Sequence, residues 1–394
     1  MVDGMTHFFS EESIDANQRA KIEELKKALG KELLEETPLF DDDFSLLRWL
    51  LGWNYNIDEI VPRFKKASSV IKCLHLEAFA ELNLDDIDEI NELVSNLSPA
   101  AKYFPGGLMG QDREGNIIVC QAIAAVRPKD LVKCGKVTDL YKMALIECAL
   151  SYKIVKINEE KYKRKLGSKM IFDMDGWSMD LLYTPTLKMY LNLIRLLQDV
   201  FPDFARSLIV INSPMMMSTV YQMIKPALSE QTRDKVRFVG KDYKATLIED
   251  LGEENIYEKW GGTIKPKNGC TTGTLRMGGV PPEDIRYTEI KNPFHPDEKH
   301  LKKVSVSARN KTEVSLKVEK PGCILRWFFV SNGEVDFSIV CRGKEVWPKM
   351  RISTEYVPEY GHVICEEIDE YTLVFDNSFG TFFSKEVKFH AHIS

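Results

Sequence analysis

Apolar and polar positions follow different periods in three successive parts of the chain. From about residue 17 to 98, apolar residues such as Ile22, Leu25 and Leu29 recur three and four positions apart, the period of an α-helix. Further helices are predicted over 57–74 and 87–97. Proline and glycine residues between 99 and 107 then interrupt the pattern. Residues 1–98 are therefore predicted to form a helical domain.

Between residues 115 and 262 the period changes repeatedly. Short β-rich runs alternate with longer helical runs, which predicts a largely parallel sheet covered by helices. The predicted strands are 117–119, 169–172, 208–211 and 236–239, and the predicted helices are 138–157, 184–200 and 219–228. The strands are apolar on both faces, as a sheet covered on both sides requires. Residues 99–265 are predicted to be this α/β domain.

After about residue 300 the period becomes two, which is typical of half-buried strands. We expect an all-β sandwich over 276–394, joined to the α/β domain by a linker that includes Lys265–Gly273. Trp327, Phe328 and Phe329 are consecutive, so at least one of these aromatic side chains points outward from any strand. Such a side chain needs a helix or a partner to cover it. The fold class is thus multidomain, α/β plus all-β.

Composition and charge exclude several classes of function. The 394 residues have a mean hydropathy of −0.24 and a net charge of −6, and the eight cysteines include no CxxC pair. We expect reduced cysteines, no disulfide frame and a cytoplasmic location, because the start of the chain also lacks the layout of a secretory signal. The helical part is acidic and the α/β part carries a surplus of six positive charges. This split does not resemble the basic stripe of a nucleic-acid binder.

Recognisable catalytic motifs are missing from the sequence. It contains no nucleophile elbow, phosphate-binding loop, dinucleotide fingerprint or HExxH motif, and no histidine falls between residues 76 and 294. Asp173, Asp175 and Asp180 cluster after a predicted strand, where turn and helix-cap roles are the favoured interpretation. A hydrolase using these carboxylates has little support. We expect no catalytic residues, no metal site and no enzyme activity.

Several ordered segments resemble known families. KMIFDMDGWSMDLL (169–182), VFPDFARSLIVINSP (200–214), STVYQMIKPALSE (218–230) and YEKWGG (257–262) resemble the CRAL-TRIO lipid-transfer family. DDDFSLLRWLLGWNYNIDEI (41–60) resembles that family's helical N-terminal extension. GCILRWFFVSNGEVDFSIV (322–340) and YTLVFDNSFGTFFSKEVKFHAHI (371–393) resemble a GOLD domain. The resemblance covers nearly everything from residue 41 onward, in the same order.

The resemblance implies one lipid in an apolar pocket under a mobile helix, with no cofactor other than this ligand. Methionine suits a flexible wall of that kind. The predicted gate and pocket lining are Met215, Met216, Met217, Val220, Met223, Ile224 and Leu228. The resemblance places the lipid headgroup at Ser178, Asp203 and Lys225, with the lysine on a phosphate. Asp203 stands where the family has a glutamate, and it would accept from inositol hydroxyls or from Lys225.

A basic run and the C-terminal domain indicate further partners. Lys161, Lys163, Arg164 and Lys165 belong to the densest basic run and are predicted to face an anionic membrane. The GOLD-like domain would dock a protein or a membrane. We expect a carrier of one phospholipid, of the phosphatidylinositol or phosphatidylcholine type, that visits membranes transiently, the Golgi among them. Two alternatives remain open: a carrier of an isoprenoid such as squalene or tocopherol, and a scaffold in which the lipid is structural.

Overall fold

The computed structural model describes residues 14–82, 86–240, 242–266 and 269–394. The start of the chain and Lys267 and Asn268 of the predicted linker lie outside the described residues. Among those that are described, no helix combines the length and the hydropathy that crossing a bilayer requires. The described part contains a helical region, an α/β domain and a β-sandwich, so the predicted fold class is confirmed.

The helical region packs around one aromatic cluster. Its helices are α1 (Ala16–Leu29), α2 (Lys31–Glu35), α3 (Asp43–Gly52), α4 (Ile57–Cys73), α5 (Leu76–Ala80) and α6 (Ile87–Ser95). Asp42 caps α3 by accepting from the Ser45 amide at 2.9 Å, as acidic residues at a helix N-terminus should. Phe40 lies against Trp49 and Phe64 of this region and against Tyr152 of the next domain. One apolar core therefore joins the two regions.

The α/β domain contains a five-stranded sheet in the order β1-β2-β3-β4-β5. The strands are β1 (Leu108–Gln111), β2 (Ile117–Gln121), β3 (Ser168–Asp173), β4 (Ala205–Ile211) and β5 (Val236–Phe238). The helices are α7 (Pro128–Leu131), α8 (Val137–Tyr162), α9 (Thr184–Val200), α10 (Met217–Ile224), α11 (Glu230–Arg233) and α12 (Tyr243–Leu251). β1 pairs antiparallel with β2, and the other pairs are parallel. Every strand and helix predicted for this domain has a counterpart, although the helix predicted over 219–228 ends at Ile224. The elements β1, α7, α11 and α12 were not predicted.

Two four-stranded antiparallel sheets form the C-terminal sandwich, in the orders β10-β9-β12-β7 and β11-β8-β13-β6. The strands are β6 (Lys302–Val306), β7 (Lys311–Lys317), β8 (Cys323–Ser331), β9 (Val335–Cys341), β10 (Lys344–Ile352), β11 (Glu359–Cys365), β12 (Glu370–Asp376) and β13 (Lys385–Ile393). The period-two pattern arises because each strand turns alternate side chains toward the space between the sheets.

The connection between the α/β domain and the sandwich is longer than predicted and is packed. The backbones of Arg276 and Gly106 exchange two hydrogen bonds of 2.9 Å, so the start of the predicted 276–394 domain belongs to the α/β core. The first strand of the sandwich begins only at Lys302. His295, on the same connection, lies edge-on against Phe328 at 5.0 Å. The connecting segment therefore covers the outward aromatic ring for which a helix or a partner was expected.

A buried ion pair fastens the helical region to α8. Arg48 on α3 and Glu159 on α8 are both about 1% exposed and form a short charged contact. Arg48 also donates to the Leu166 carbonyl at 2.8 Å, and Glu159 accepts from the Leu166 amide at 2.6 Å. Removing one partner would leave an uncompensated charge in a dry interior, which is far more costly than never having the pair.

Replacing Arg48 with alanine should lower the free energy of unfolding by about 3–5 kcal/mol. The exposed pair between Lys31 and Glu35, at 3.3 Å, provides a matched control, because solvent screens it. Lys31→Ala should cost less than about 1 kcal/mol. Chemical denaturation of both variants measures the difference, and similar losses in the two would contradict a structural role for the buried pair.

The sandwich contacts the N-terminus of α8 through a second buried carboxylate. Glu359 on β11 accepts from the Thr138 hydroxyl at 2.8 Å, and Lys136 donates to the neighbouring Tyr360 carbonyl at 2.8 Å. Burial raises the pKa of Glu359 to about 7, because the nearby Lys136 and Thr138 only partly offset the loss of solvent. The folded protein therefore favours the protonated carboxyl at this contact.

Replacing Glu359 with glutamine should change how stability depends on pH. The raised pKa contributes stability below the ordinary value of 4.5, and this contribution is lost as pH rises through about 7. Relative to the variant, the wild type should lose up to about 3 kcal/mol between pH 4.5 and pH 8. Thermal unfolding at several pH values measures the difference, with the exposed Glu355→Gln as control. Parallel pH profiles for wild type and Glu359→Gln would refute this account.

Candidate functional site

A cavity of about 320 Å³ lies between one face of the sheet and helices α8, α9 and α10. Alternate residues of the strands line it, as the period of two requires. These residues are Val119 and Gln121, Ser168, Met170 and Phe172, Leu208 and Val210, and Val236 and Phe238. The intervening residues Ile118, Ile171 and Ile209 face the other side of the sheet and pack with α12. One face of the sheet therefore packs into a hydrophobic core, and the other face forms a wall of the cavity.

Helices α8 and α9 line the cavity with residues spaced three and four positions apart, which lie on one face of each helix. On α8 the lining residues are Ala144, Glu147, Cys148 and Ser151, and on α9 they extend from Thr186 to Gln198. Glu147 does not bring a free charge into the cavity, because the buried Arg276 donates to its two carboxylate oxygens at 2.8 and 3.0 Å. The Tyr190 hydroxyl likewise has a partner, Gln121, at 3.3 Å. Most of the wall is apolar, and the polar groups named here are already paired.

The predicted gate residues divide between two faces of α10 and the turn after it. Met217, Val220, Ile224 and Leu228 line the cavity. Met215 is fully exposed, and Met216 and Met223 are also exposed. The helix stops at Ile224, and a short 3-10 turn follows over Lys225–Ala227. The segment thus closes the cavity with one face and presents thioethers to solvent with the other.

The end of this segment is fixed to α9 by one side chain. Gln198 donates to the Ala227 carbonyl at 2.7 Å and accepts from the Ser229 amide at 2.8 Å. The other end of α10 follows β4 through a turn at Asn212, whose φ of 53° is left-handed. Between these ends α10 contacts the rest of the domain through apolar side chains, among them the buried Met217 and Val220.

Asp203 lies at the amino end of the sheet between two lysines. Its carboxylate oxygens contact Lys165 at 2.8 Å and Lys235 at 2.6 Å, and Lys235 also donates to the Ala205 carbonyl at 2.6 Å. Burial works against the charge of this carboxyl, but the two lysines outweigh it and hold the pKa of Asp203 below its usual value. Burial lowers the pKa of Lys165. One carboxylate faces two cations, so this group of three carries a net positive charge; Asp203 lines the cavity, and the two lysines lie behind its carboxylate and do not line it.

The three predicted headgroup residues are not brought together at the cavity. Asp203 lines it, whereas Ser178 and Lys225 do not, and Lys225 is exposed. Ser178 follows β3 and Asp203 precedes β4, so parallel pairing of these strands puts them at opposite ends of the sheet. The prediction that Lys225 pairs with Asp203 is wrong, since Lys165 and Lys235 occupy both oxygens. The sequence does hold a signal for Lys235: it immediately precedes a predicted parallel strand, at the same edge as Asp203.

The predicted membrane-facing basic run is also only partly exposed. Lys161 and Lys163 are exposed, but Arg164 donates to the Glu114 carbonyl at 2.7 Å. Lys165 is buried against Asp203, so its assignment to a membrane surface is wrong. The reason is the left-handed conformation of Lys163 (φ 55°), which ends α8 and turns the chain inward.

The aspartate cluster after β3 is tied into the turn. Asp173 is buried and accepts from the Asp175 amide at 3.0 Å, from Asn212 at 2.8 Å and from the Trp260 indole at 2.9 Å. Asp180 is on the surface and pairs with Lys129 at 2.6 Å. These partners fit turn and packing roles for both carboxylates.

The α/β domain thus encloses an apolar cavity between its sheet and helices α8, α9 and α10, a shape that suits a lipophilic molecule. Comparison with known proteins identifies this domain. Residues 101–262 match the model of the CRAL/TRIO domain. The chain therefore contains a CRAL/TRIO domain, of a family that binds lipophilic ligands, and the predicted resemblance is confirmed for this domain.

The relatives are distant but extend over most of the chain. Protein ctg-1 of Caenorhabditis elegans is 24% identical over 384 residues, which cover 92% of this chain and 95% of that protein. Protein real-time of Drosophila melanogaster is 24% identical over 353 residues, which cover 82% of this chain but 51% of that protein. A solved structure titled "Crystal structure of Sfh5" is similar with a TM-score of 0.46 and 15% identity, over 69% of this chain and 95% of that one.

A larger side chain on the cavity face of α8 should block ligand entry. Ala144→Phe projects into the cavity, and we expect it to weaken uptake of a fluorescent long-chain acyl probe by about tenfold or more. Ile157→Phe is the control, because Ile157 is exposed on the same helix and the added ring meets solvent. Equal uptake by both variants and the wild type would place the binding site elsewhere.

Proposed function

We propose that this protein is a non-enzymatic carrier that encloses one phospholipid, of the phosphatidylinositol or phosphatidylcholine type, and exchanges it at membranes. The observation that carries the proposal is the apolar cavity of about 320 Å³ with a cationic group at the amino end of the sheet. Acyl chains suit the apolar wall, and a phosphate suits the surplus positive charge. Transport, and not bond making, is the chemistry that this combination supports.

The energetics favour a gate over tight binding. Burying one methylene is worth about 0.8 kcal/mol, so a sixteen-carbon chain strongly resists exposure to water. Moving the same acyl chain from a bilayer into an apolar cavity exchanges one apolar environment for another, so the free energy changes little. A carrier must therefore open at the membrane, and α10 is our candidate for the moving element. The outward methionines at 215, 216 and 223 would then contact the acyl region while the cavity is open.

We assign the phosphate to Lys235 and Lys165, with Asp203 between them. Asp203 can neutralise only one of the two lysines, so an incoming phosphate supplies the second negative charge. Lys235 is the more accessible of the two, with about 21% of its side chain exposed against 7% for Lys165. An isoprenoid ligand, the second candidate, would use the same apolar wall and leave the lysines without a role.

The first test is the content of the purified protein. Extraction with organic solvent followed by mass spectrometry should recover about one phospholipid per chain. A protein with no stoichiometric lipid, which also takes none up from vesicles, would contradict the proposal. Recovery of an isoprenoid in place of phospholipid would favour the second candidate.

The second test separates the two ligand classes. Lys235→Gln should weaken phospholipid uptake about tenfold or more, because a charge-assisted hydrogen bond is lost, and should leave squalene or tocopherol uptake unchanged. Lys225→Gln is the matched control, since Lys225 is exposed and does not contact Asp203, the cavity residue on which Lys235 lies. Uptake of radiolabelled ligands from vesicles measures both. Unchanged phospholipid uptake by Lys235→Gln would remove the phosphate assignment.

A further inference from the structure

The loop between β12 and β13 displays three phenylalanines to solvent. Residues 377–384 contain no charged side chain, and Phe382 and Phe383 are 83% and 78% exposed. Phe379 is 37% exposed on the same loop. Large aromatic side chains dominate the energetics of cores and interfaces. Exposing three of them on one short loop is therefore unfavourable in water. The loop has the form of a surface that is covered by something outside the chain.

The loop is held in shape by a buried side chain. Asn377 is fully buried and donates to the Val306 carbonyl at 3.2 Å and to the Phe383 carbonyl at 3.0 Å. The Gly380 amide donates to the Asn377 carbonyl at 2.9 Å, and a Cβ at Gly380 would clash with Asn377 Oδ1. The asparagine thus pins both halves of the loop while the phenylalanines remain outside. Little ordering entropy remains to oppose their insertion into a partner.

Basic and acidic residues flank the base of the loop, and Asp376, directly before it, is paired with Lys349. The Arg351 guanidinium lies 3.5 Å from the centre of the Phe379 ring, and it is paired with Asp336. The Arg309 amide donates to the Asn377 carbonyl, and Lys385 directly follows the loop. Neither side chain forms an ion pair with any part of the chain that the structure describes. An uncharged aromatic tip with cations behind it matches the layering of a bilayer with anionic headgroups.

We propose that residues 377–384 are a membrane-insertion loop, in which Phe382 and Phe383 enter the interface of a phospholipid bilayer while Arg309 and Lys385 contact anionic headgroups. The inference rests on the proposed function, because a carrier that exchanges lipid must meet a bilayer. The two phenylalanines project almost wholly into solvent, so a bilayer can take them up without a matching groove. The unpaired cations behind them select a negatively charged surface.

The insertion is tested with full-length protein and vesicles of phosphatidylcholine with added phosphatidylserine. Phe382→Ser/Phe383→Ser should lower the partition coefficient by about a hundredfold, because two aromatic side chains no longer leave water. Ile290→Ser/Ile364→Ser is the matched control, since both isoleucines are exposed elsewhere, and it should bind within about twofold of wild type. Flotation measures the bound fraction, and thermal unfolding checks the fold.

A second variant tests the cations. Arg309→Gln/Lys385→Gln should lose roughly thirtyfold in affinity for vesicles with phosphatidylserine and little for phosphatidylcholine alone. Unchanged vesicle binding by the phenylalanine variant, or no binding by the wild type, overturns the proposal in favour of a protein partner. The lipid content of the same preparations is scored separately. An empty cavity with intact loop-dependent binding would reject the carrier function and leave the insertion loop standing.

Discussion

The side chains that line an apolar cavity have no protein packing partner on the side that faces the cavity. The walls must therefore be held apart by contacts outside the void. This chain does so with polar anchors around the cavity, which join elements distant in sequence. Arg48 with Glu159 and Arg276 with Glu147 fix α8, the former to the helical region and the latter to the connecting segment, and Gln198 fixes the turn after α10.

The anchors show how the additional regions support the α/β domain. The long helix α8 forms one wall, and each neighbouring region contacts it at a different point. The helical region reaches it through Arg48, the connecting segment through Arg276, and the sandwich through Glu359 at Thr138. Each contact is buried and polar or charged, so it specifies one position for the helix where apolar packing alone would tolerate several.

Apolar side chains outside the protein core are either enclosed or exposed. Apolar groups that face the cavity are enclosed, whereas the outward methionines beside α10 and the phenylalanines of the 377–384 loop are presented to solvent. The two exposed groups differ in how the backbone that carries them is held in place. The loop is fixed through Asn377, while α10 is fastened at its ends. The loop therefore presents a fixed surface, whereas α10 combines an anchored end with apolar packing on its cavity side.

The sequence by itself determined most of the elements, since burial on one side imposes a period of two on a strand and about 3.6 on a helix. The family resemblance, and not the period, placed Met217, Val220 and Ile224 on the cavity wall, where the structure also has them. Only the tertiary structure decided the partners of charged residues. Asp203 contacts Lys165 and Lys235 and not Lys225, because strand order and direction bring residues together independently of their spacing along the chain.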